Sequence, residues 1–175
     1  TAQGSTAPGI TRTVGNLTLG FGPGPFTEPG FSALDDFQGD LSGSVVVGGD
    51  AVDVAKLGTY IITYNVSDSV PNAATQVTRT VTVVDTTPPV ITLTGANPQV
   101  IECPTPYVEL GATAADTCDL TLGAVVIDAS AVDTLTPGSY SVTYNVTDAS
   151  ANAALQVTRP LNVVDTTPTL LTLRC

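Results

Sequence analysis

The feature that most narrows what this chain can fold into is an internal repeat. Residues 58–88, GTYIITYNVSDSVPNAATQVTRTVTVVDTTP, lie without a gap over residues 138–168, GSYSVTYNVTDASANAALQVTRPLNVVDTTP. Between Tyr60 and Pro88, 19 of 29 positions are identical at an offset of 80. Upstream the match continues at an offset of 81, residues 5–30 over 86–111, pairing Asn16 with Asn97, Pro23 with Pro104 and Phe26 with Tyr107. At 175 residues the chain has room for one large or two small domains, and the tandem duplication decides for two. The expected division is repeat one at 1–85 and repeat two at 86–165. Residues 166–175, TTPTLLTLRC, copy the opening of repeat two and form an orphan first strand of a third repeat.

Alternation of period two marks the strands. In TYIITYNVSD, Tyr60, Ile62, Tyr64 and Val66 point one way, and Ile61, Thr63, Asn65 and Ser67 the other. SVPN then turns the chain into AATQVTRTVTVVD, the partner strand of a long hairpin. Earlier strands of repeat two are expected at 90–94, 99–102, 108–114 and 124–127. The 29 Thr and many Val suit a pleated, half-buried surface, and 16 Gly and 13 Pro punctuate turns. Seven or so short strands in about eighty residues, without a credible helix, predict an all-β fold of two β-sandwiches.

These residues resemble a known family. DTTPPVITLTG (85–95), GATAADTCD (111–119), TPGSYSVTYNVTDASANAA (136–154) and a closing V-x-V-V-D are similar to the bacterial immunoglobulin-like repeats of surface proteins, near relatives of the hyalin-repeat domain. The resemblance covers nearly the whole chain. It implies two tandem immunoglobulin-like Greek-key sandwiches, an extracellular or cell-surface address, and a role in adhesion or as a structural spacer. The G-x-Y of Gly58 to Tyr60 and of Gly138 to Tyr140 is similar to the tyrosine corner of such folds, in which a Tyr hydroxyl ties back to the backbone. Two residues on, where an antibody domain carries its second core cysteine, stand Ile62 and Val142. The intersheet disulfide is therefore absent, and hydrophobic packing is expected to hold the sheets together.

Composition excludes several chemistries. With no His, neither a Ser/His/Asp or Cys/His catalytic arrangement nor a His-ligated zinc can form. The pairs Asp35 with Asp36 and Glu102 with Glu109 lack an evident cleft for glycosidase chemistry, and no Gly-rich phosphate loop leads from a strand into a helix, so no enzyme is expected. The net charge of -11 argues against nucleic acid and anionic membranes as partners. No apolar run is long enough to span a bilayer, so no membrane insertion is expected. Thr1 is neither an initiator Met nor part of a leader, which fits a mature secreted protein and an excised segment equally well.

Asp outnumbers Glu 13 to 3, and Asp is the carboxylate both of turns and of calcium loops. In the expected topology Asp35, Asp36 and Asp40 meet Asp68 and Asn72 at one end of repeat one. Asp116 and Asp119 meet Asp148, Asn152 and the linker residue Asp85 at the corresponding end of repeat two. Calcium is the cofactor such sets would hold, and local capping of the backbone is the alternative. Asn16, Asn65 and Asn145 open N-x-S/T sequons and are candidates for glycosylation.

Cys103, Cys118 and Cys175 leave one thiol over whatever pairs. Cys103 with Cys118 is the default by arithmetic, but the intervening strand should place them at opposite ends of the sandwich, and a bond between chains is the alternative. Leu170, Leu171 and Leu173 form an apolar strand without a sheet of its own, whereas the matching slot of repeat one, Ile10, Arg12 and Val14, puts a charge where Leu93 sits. Donation of the first strand to the second site would assemble copies of the chain head to tail into an open filament or surface layer. A spacer or adhesin segment of a longer multi-repeat surface protein is the other reading.

Overall fold

The computed structural model describes residues 4–70 and 72–168. The chain divides into two compact units, Thr1–Thr86 and Thr87–Cys175. Each is a sandwich of two small sheets, and the described residues contain no α-helix.

In the first unit, β1 (Gly9–Arg12), β3 (Phe31–Asp35) and β4 (Gly39–Asp40) make one antiparallel sheet. Facing it are β2 (Leu17–Gly20), β7 (Val77–Val84), β6 (Gly58–Asn65) and β5 (Val46–Gly49), in that order. The second unit repeats the plan. There β8 (Val90–Leu93) pairs with β10 (Ala112–Ala115), facing a sheet of β11 (Val126–Asp128), β12 (Gly138–Asn145), β13 (Val157–Val164) and β9 (Gln99–Glu102). Within each unit the first two strands therefore join opposite sheets. β1 and β8 run antiparallel to β3 and β10, while β2 and β9 run parallel to the last strand of the unit.

The alternation expected for the long hairpin holds. Ile62, Tyr64 and Val66 are buried, Ile61 and Ser67 exposed, and the same pattern recurs at Val142, Tyr144 and Val146. Each fully buried side chain of this kind contributes ~1.5–3 kcal/mol by leaving water. Both tyrosine corners form. The Tyr60 hydroxyl donates to Lys56 O at 2.9 Å and is 3.1 Å from Asp53 O, and the Tyr140 hydroxyl donates to Thr136 O at 2.8 Å. Tyr140→Phe, which keeps the ring and deletes this one bond, is expected to lower the stability of the second unit by ~1 kcal/mol in urea titration.

Three expectations need correction. The strand expected at 108–114 begins only at Ala112, because Gly111 stands at φ +88° and its N–H is taken by the Glu109 side chain, which stops pairing there. The pairing of Leu17 with Val81 and of Gln99 with Leu161 sets an offset of 82 between β2 and β9. Repeat two thus carries one extra residue after its first strand, and Asn16 corresponds to Pro98 rather than to Asn97. Finally, the charge of Arg12 does not leave the slot unfilled: β1 pairs with β3 along its whole length. Arg12 sits opposite Phe31 as Leu93 sits opposite Ala112, so the large apolar residue has moved to the neighbouring strand. Phe31 packs on Tyr64 with ring centroids 5.2 Å apart, and the displaced Arg12 guanidinium donates to Asn16 Oδ1 at 2.8 Å.

Candidate functional site

The acidic loops lie where the topology requires, at the end of each sandwich where the second hairpin turns. In unit one, Gln38 and Ser69 are joined through their side chains, and the Ser69 N–H points at Gln38 Oε1 (3.3 Å). In unit two the Ala149 N–H donates to Asp119 Oδ2 at 3.0 Å. The carboxylates at these ends serve the backbone beside them. Asp35 Oδ1 accepts the N–H groups of Phe37 and Gln38, and Asp116 Oδ1 those of Cys118 and Asp119. Asp68 accepts from Val70 N, Asn72 N and Asn72 Nδ2, and Asp148 repeats this with Ser150 and Asn152. Asp40 accepts from Ser42, and Asp36 from the Thr6 hydroxyl. Asp85 is buried just after β7. Bonds to the charged form hold Asp40, Asp68 and Asp119 below the usual carboxylate range, led by the Ser42 side chain, the Asn72 side chain and the Ala149 N–H respectively. Among the described residues no three acidic or cysteine side chains converge in a geometry that holds a metal ion.

The most distinctive polar constellation is one that residue patterning did not single out. Arg79 on β7 and Arg159 on β13 point into the sandwich with their side chains fully buried. They occupy the inward positions of the period-two pattern, in line with Val81 and Val83 and with Leu161 and Val163. A buried guanidinium demands partners for its charge and its donors. The Arg159 Nη2 donates to Thr94 O at 2.5 Å and to Gly111 O at 3.0 Å, and Nη1 faces Glu109 Oε1 at 3.3 Å. The Arg79 Nη2 donates to Val14 O at 2.8 Å and Gly30 O at 3.1 Å, and Nη1 pairs with Glu28 Oε1. Each guanidinium also lies over the buried ring of its own unit, Arg79 Cζ 5.7 Å from the centroid of Tyr64 and Arg159 Cζ 5.4 Å from that of Tyr144.

The segment that supplies the acceptors is shaped for the purpose. Glu109 caps the N–H of Gly111 at 2.6 Å and Glu28 that of Gly30 at 3.2 Å. Both glycines are left-handed, Gly111 at φ +88° and Gly30 at +106°, which turns their carbonyls toward the arginine. Glu109 further accepts from the hydroxyls of Tyr144, at 2.8 Å, and Tyr107. Burial alone would raise the Glu109 carboxyl, but the bonds from Tyr107, Gly111 and Tyr144 together with the Arg159 charge bring it below its usual value. Burial and the nearby carboxylate raise Tyr107 and Tyr144, and in unit one burial and Glu28 push Tyr64 up to about 12. The sheets are thus held by a buried ion pair as well as by apolar packing, which corrects the expectation of packing alone. The signal was present in the sequence: Q-V-T-R and E-x-G recur intact in both repeats.

The remaining sequence candidates are dispersed. Asn16 is exposed, its Oδ1 accepting from Arg12 and from Thr80 N, while Asn65 and Asn145 are half-buried and accept from Gln76 and Gln156. Cys103 and Cys118 form no disulfide with each other. The Cys103 Sγ contacts Leu135 O at 3.3 Å, before β12, whereas Asp116 and Asp119, which flank Cys118, sit by the turn that follows β12. The length of that strand separates the two thiols. Of the proposed acceptor, Ile10 and Arg12 lie on β1, and Val14 lies beyond it with its carbonyl held by Arg79. Leu170, Leu171, Leu173 and Cys175 lie outside the described residues.

Paired sheets, split first strands and tyrosine corners define both units as immunoglobulin-like β-sandwich domains. The chain belongs to the family described as bacterial surface protein, Ig-like domain, whose model matches residues 16–83 and again 91–163. It is 30% identical over 155 residues to the pesticidal crystal protein Cry22Aa of Bacillus thuringiensis, covering 85% of this chain and 21% of that protein. It is 34% identical over 150 residues to hyalin of Strongylocentrotus purpuratus, covering 82% of this chain and 12% of hyalin. The chain thus spans about a fifth and about an eighth of the length of these relatives. Among solved structures it is similar to the lipoprotein BT2262 of Bacteroides thetaiotaomicron, with 24% identity, 81% of this chain and 61% of that one covered, and a TM-score of 0.39. It is also similar to fibronectin(III)-like modules of CbhA from Clostridium thermocellum, with 14% identity, 96% and 100% covered, and a TM-score of 0.37.

Proposed function

We propose that this chain is a non-enzymatic structural module of an extracellular or cell-surface protein, in which two self-sufficient sandwiches act as a spacer within a longer array. The observation that carries this reading is the fate of the polar residues the two repeats share. Arg79 and Arg159, Glu28 and Glu109, and Asp68 and Asp148 all bind their own unit's backbone. Duplicating such residues duplicates a fold, whereas duplicating a binding site would keep polar groups turned outward.

A second reading, head-to-tail assembly by strand donation, is supported by the sequence likeness of residues 170–173 to those of β8. The slot it would enter is filled by β1, so donation has to displace four paired residues. Electron microscopy of the chain with and without residues 166–175 separates the two. The spacer reading expects monomers from both proteins; fibres that vanish on truncation would establish donation instead. Because the loop carboxylates serve their own backbone, adding millimolar calcium after chelation is expected to leave the melting temperature unchanged, and a rise would restore the calcium assignment.

A further inference from the structure

The shared Arg and Glu do more than fill the core, because of which strands they join. In unit two the chain enters through β8 and leaves through β13. Arg159 is on the last strand, and the carbonyl it grips most closely, Thr94 O at 2.5 Å, lies immediately after the first. In unit one Arg79 on β7 holds Val14 O, two residues after β1. The entry and exit strands belong to opposite sheets, so no backbone ladder among the described residues connects them, and the guanidinium is a direct polar link between them.

The second strand adds to this. β9 runs parallel to β13, with Gln99 to Glu102 beside Leu161 to Val164, and β2 runs parallel to β7 in the same way. When tension pulls the start of one strand against the end of a parallel neighbour, it slides the pair lengthwise and loads every ladder bond together. An antiparallel pair pulled from its common end opens one bond at a time. Tension applied through the chain of either unit therefore meets a sheared ladder and a buried charged clamp in parallel.

We propose that each repeat is a load-bearing element, in which Arg79 with Glu28 and Arg159 with Glu109 act as the clamp that resists extension between entry and exit. The proposal extends the spacer reading but is tested independently of it, since it concerns the mechanics of the isolated chain.

The test is single-molecule force spectroscopy of the full chain held by its ends. Two unfolding events are expected, each releasing roughly 27 nm for about 80 residues at ~3.4 Å per residue. In the double variant Arg159→Met with Glu109→Gln, an apolar side chain replaces the buried cation, an exchange that commonly leaves thermal stability near neutral. One of the two events should then unfold at fixed load ~10 times faster or more, as loss of a charged hydrogen bond from the barrier implies. Val142→Ala, which opens a cavity on β12 away from the clamp, should lower the melting temperature with a smaller effect on the rate under load. Should the double variant fail to fold, the wild-type sequence pulled from attachment points at Val100 and Asn162, which stand directly opposite each other across the β9–β13 pair, provides the second comparison. That geometry peels the parallel pair and should yield at lower force than pulling end to end. Equal forces in the two geometries, or a double variant that keeps its wild-type unfolding rate under load, would overturn the proposal.

Discussion

Glu109→Leu is expected to lower the melting temperature of the second unit by ~12 °C or more, while the first unit's transition serves as internal reference. The cause is the charge left behind. Arg159 is completely buried, and Glu109 supplies its counter-charge, so removing the carboxylate strands a guanidinium in the core. Breaking a buried pair from one side costs about 3–5 kcal/mol, and the lower figure applies because Glu109 keeps 27% side-chain exposure through which water screens the charge. The hydroxyls of Tyr107 and Tyr144 lose their acceptor at the same time. Adding Arg159→Met to this variant should recover most of the loss, because the desolvated cation is then gone too. Differential scanning calorimetry of the single and double variants checks both steps. If apolar packing alone held the sheets, the single substitution would be near neutral and the second would rescue nothing.

The second large effect is a stability plateau that falls off at both ends of the pH scale. On the acid side, Glu109 titrates below its usual value in the folded state, so its stabilisation is fully present above the unfolded carboxylate range of about 4.3. It is lost as pH falls through the lowered folded value, and Asp68 and Asp119 add losses of the same sign. On the alkaline side the sign reverses. Tyr64 is held neutral up to about 12 against an ordinary 10.0, so its contribution is complete below pH 10 and disappears as pH rises toward 12. Melting temperature measured from pH 2 to 12 should therefore be flat near neutrality and drop at each end. Glu109→Gln should shrink the acid drop of the second unit, and Tyr64→Phe the alkaline drop of the first. An unchanged alkaline limb in Tyr64→Phe would show that this ring does not face the ion pair in solution.

Much of this architecture was legible before any coordinates. The duplication and the inward row of Tyr60, Ile62, Tyr64 and Val66 follow from repeat and period-two patterning, which depend on neighbours along the chain, and both tyrosine corners from the likeness of G-x-Y to the motif of immunoglobulin-like folds. The grouping of Asp116 with Asp119, and the placement of Asp119 beside the turn after β12, were legible for the same reason. The purpose of those carboxylates was less so, since a turn aspartate and a calcium ligand look alike in sequence. Here Asp68 Oδ1 and Asp148 Oδ1 each accept N–H groups two and four residues further on, which only the folded loops reveal. Arg12 shows the limit of reasoning strand by strand. Its charge makes β1 look poor until Phe31, nineteen residues on, is seen to carry the bulk that Leu93 carries in the other repeat.

By itself, then, the sequence determined the number of domains, their sheet character and the face each long strand buries, because a two-residue period and an eighty-residue repeat are one-dimensional facts. The tertiary structure alone decided what Arg79 and Arg159 do. An arginine at an inward position reads as a misfit on its strand, and it becomes a clamp only when Glu109 and the carbonyls of Thr94 and Gly111, 48 to 65 residues away in the chain, converge on it from the opposite side of the sandwich. Burial of a charge is settled by every group around it at once, and that neighbourhood does not exist until the two sheets have closed.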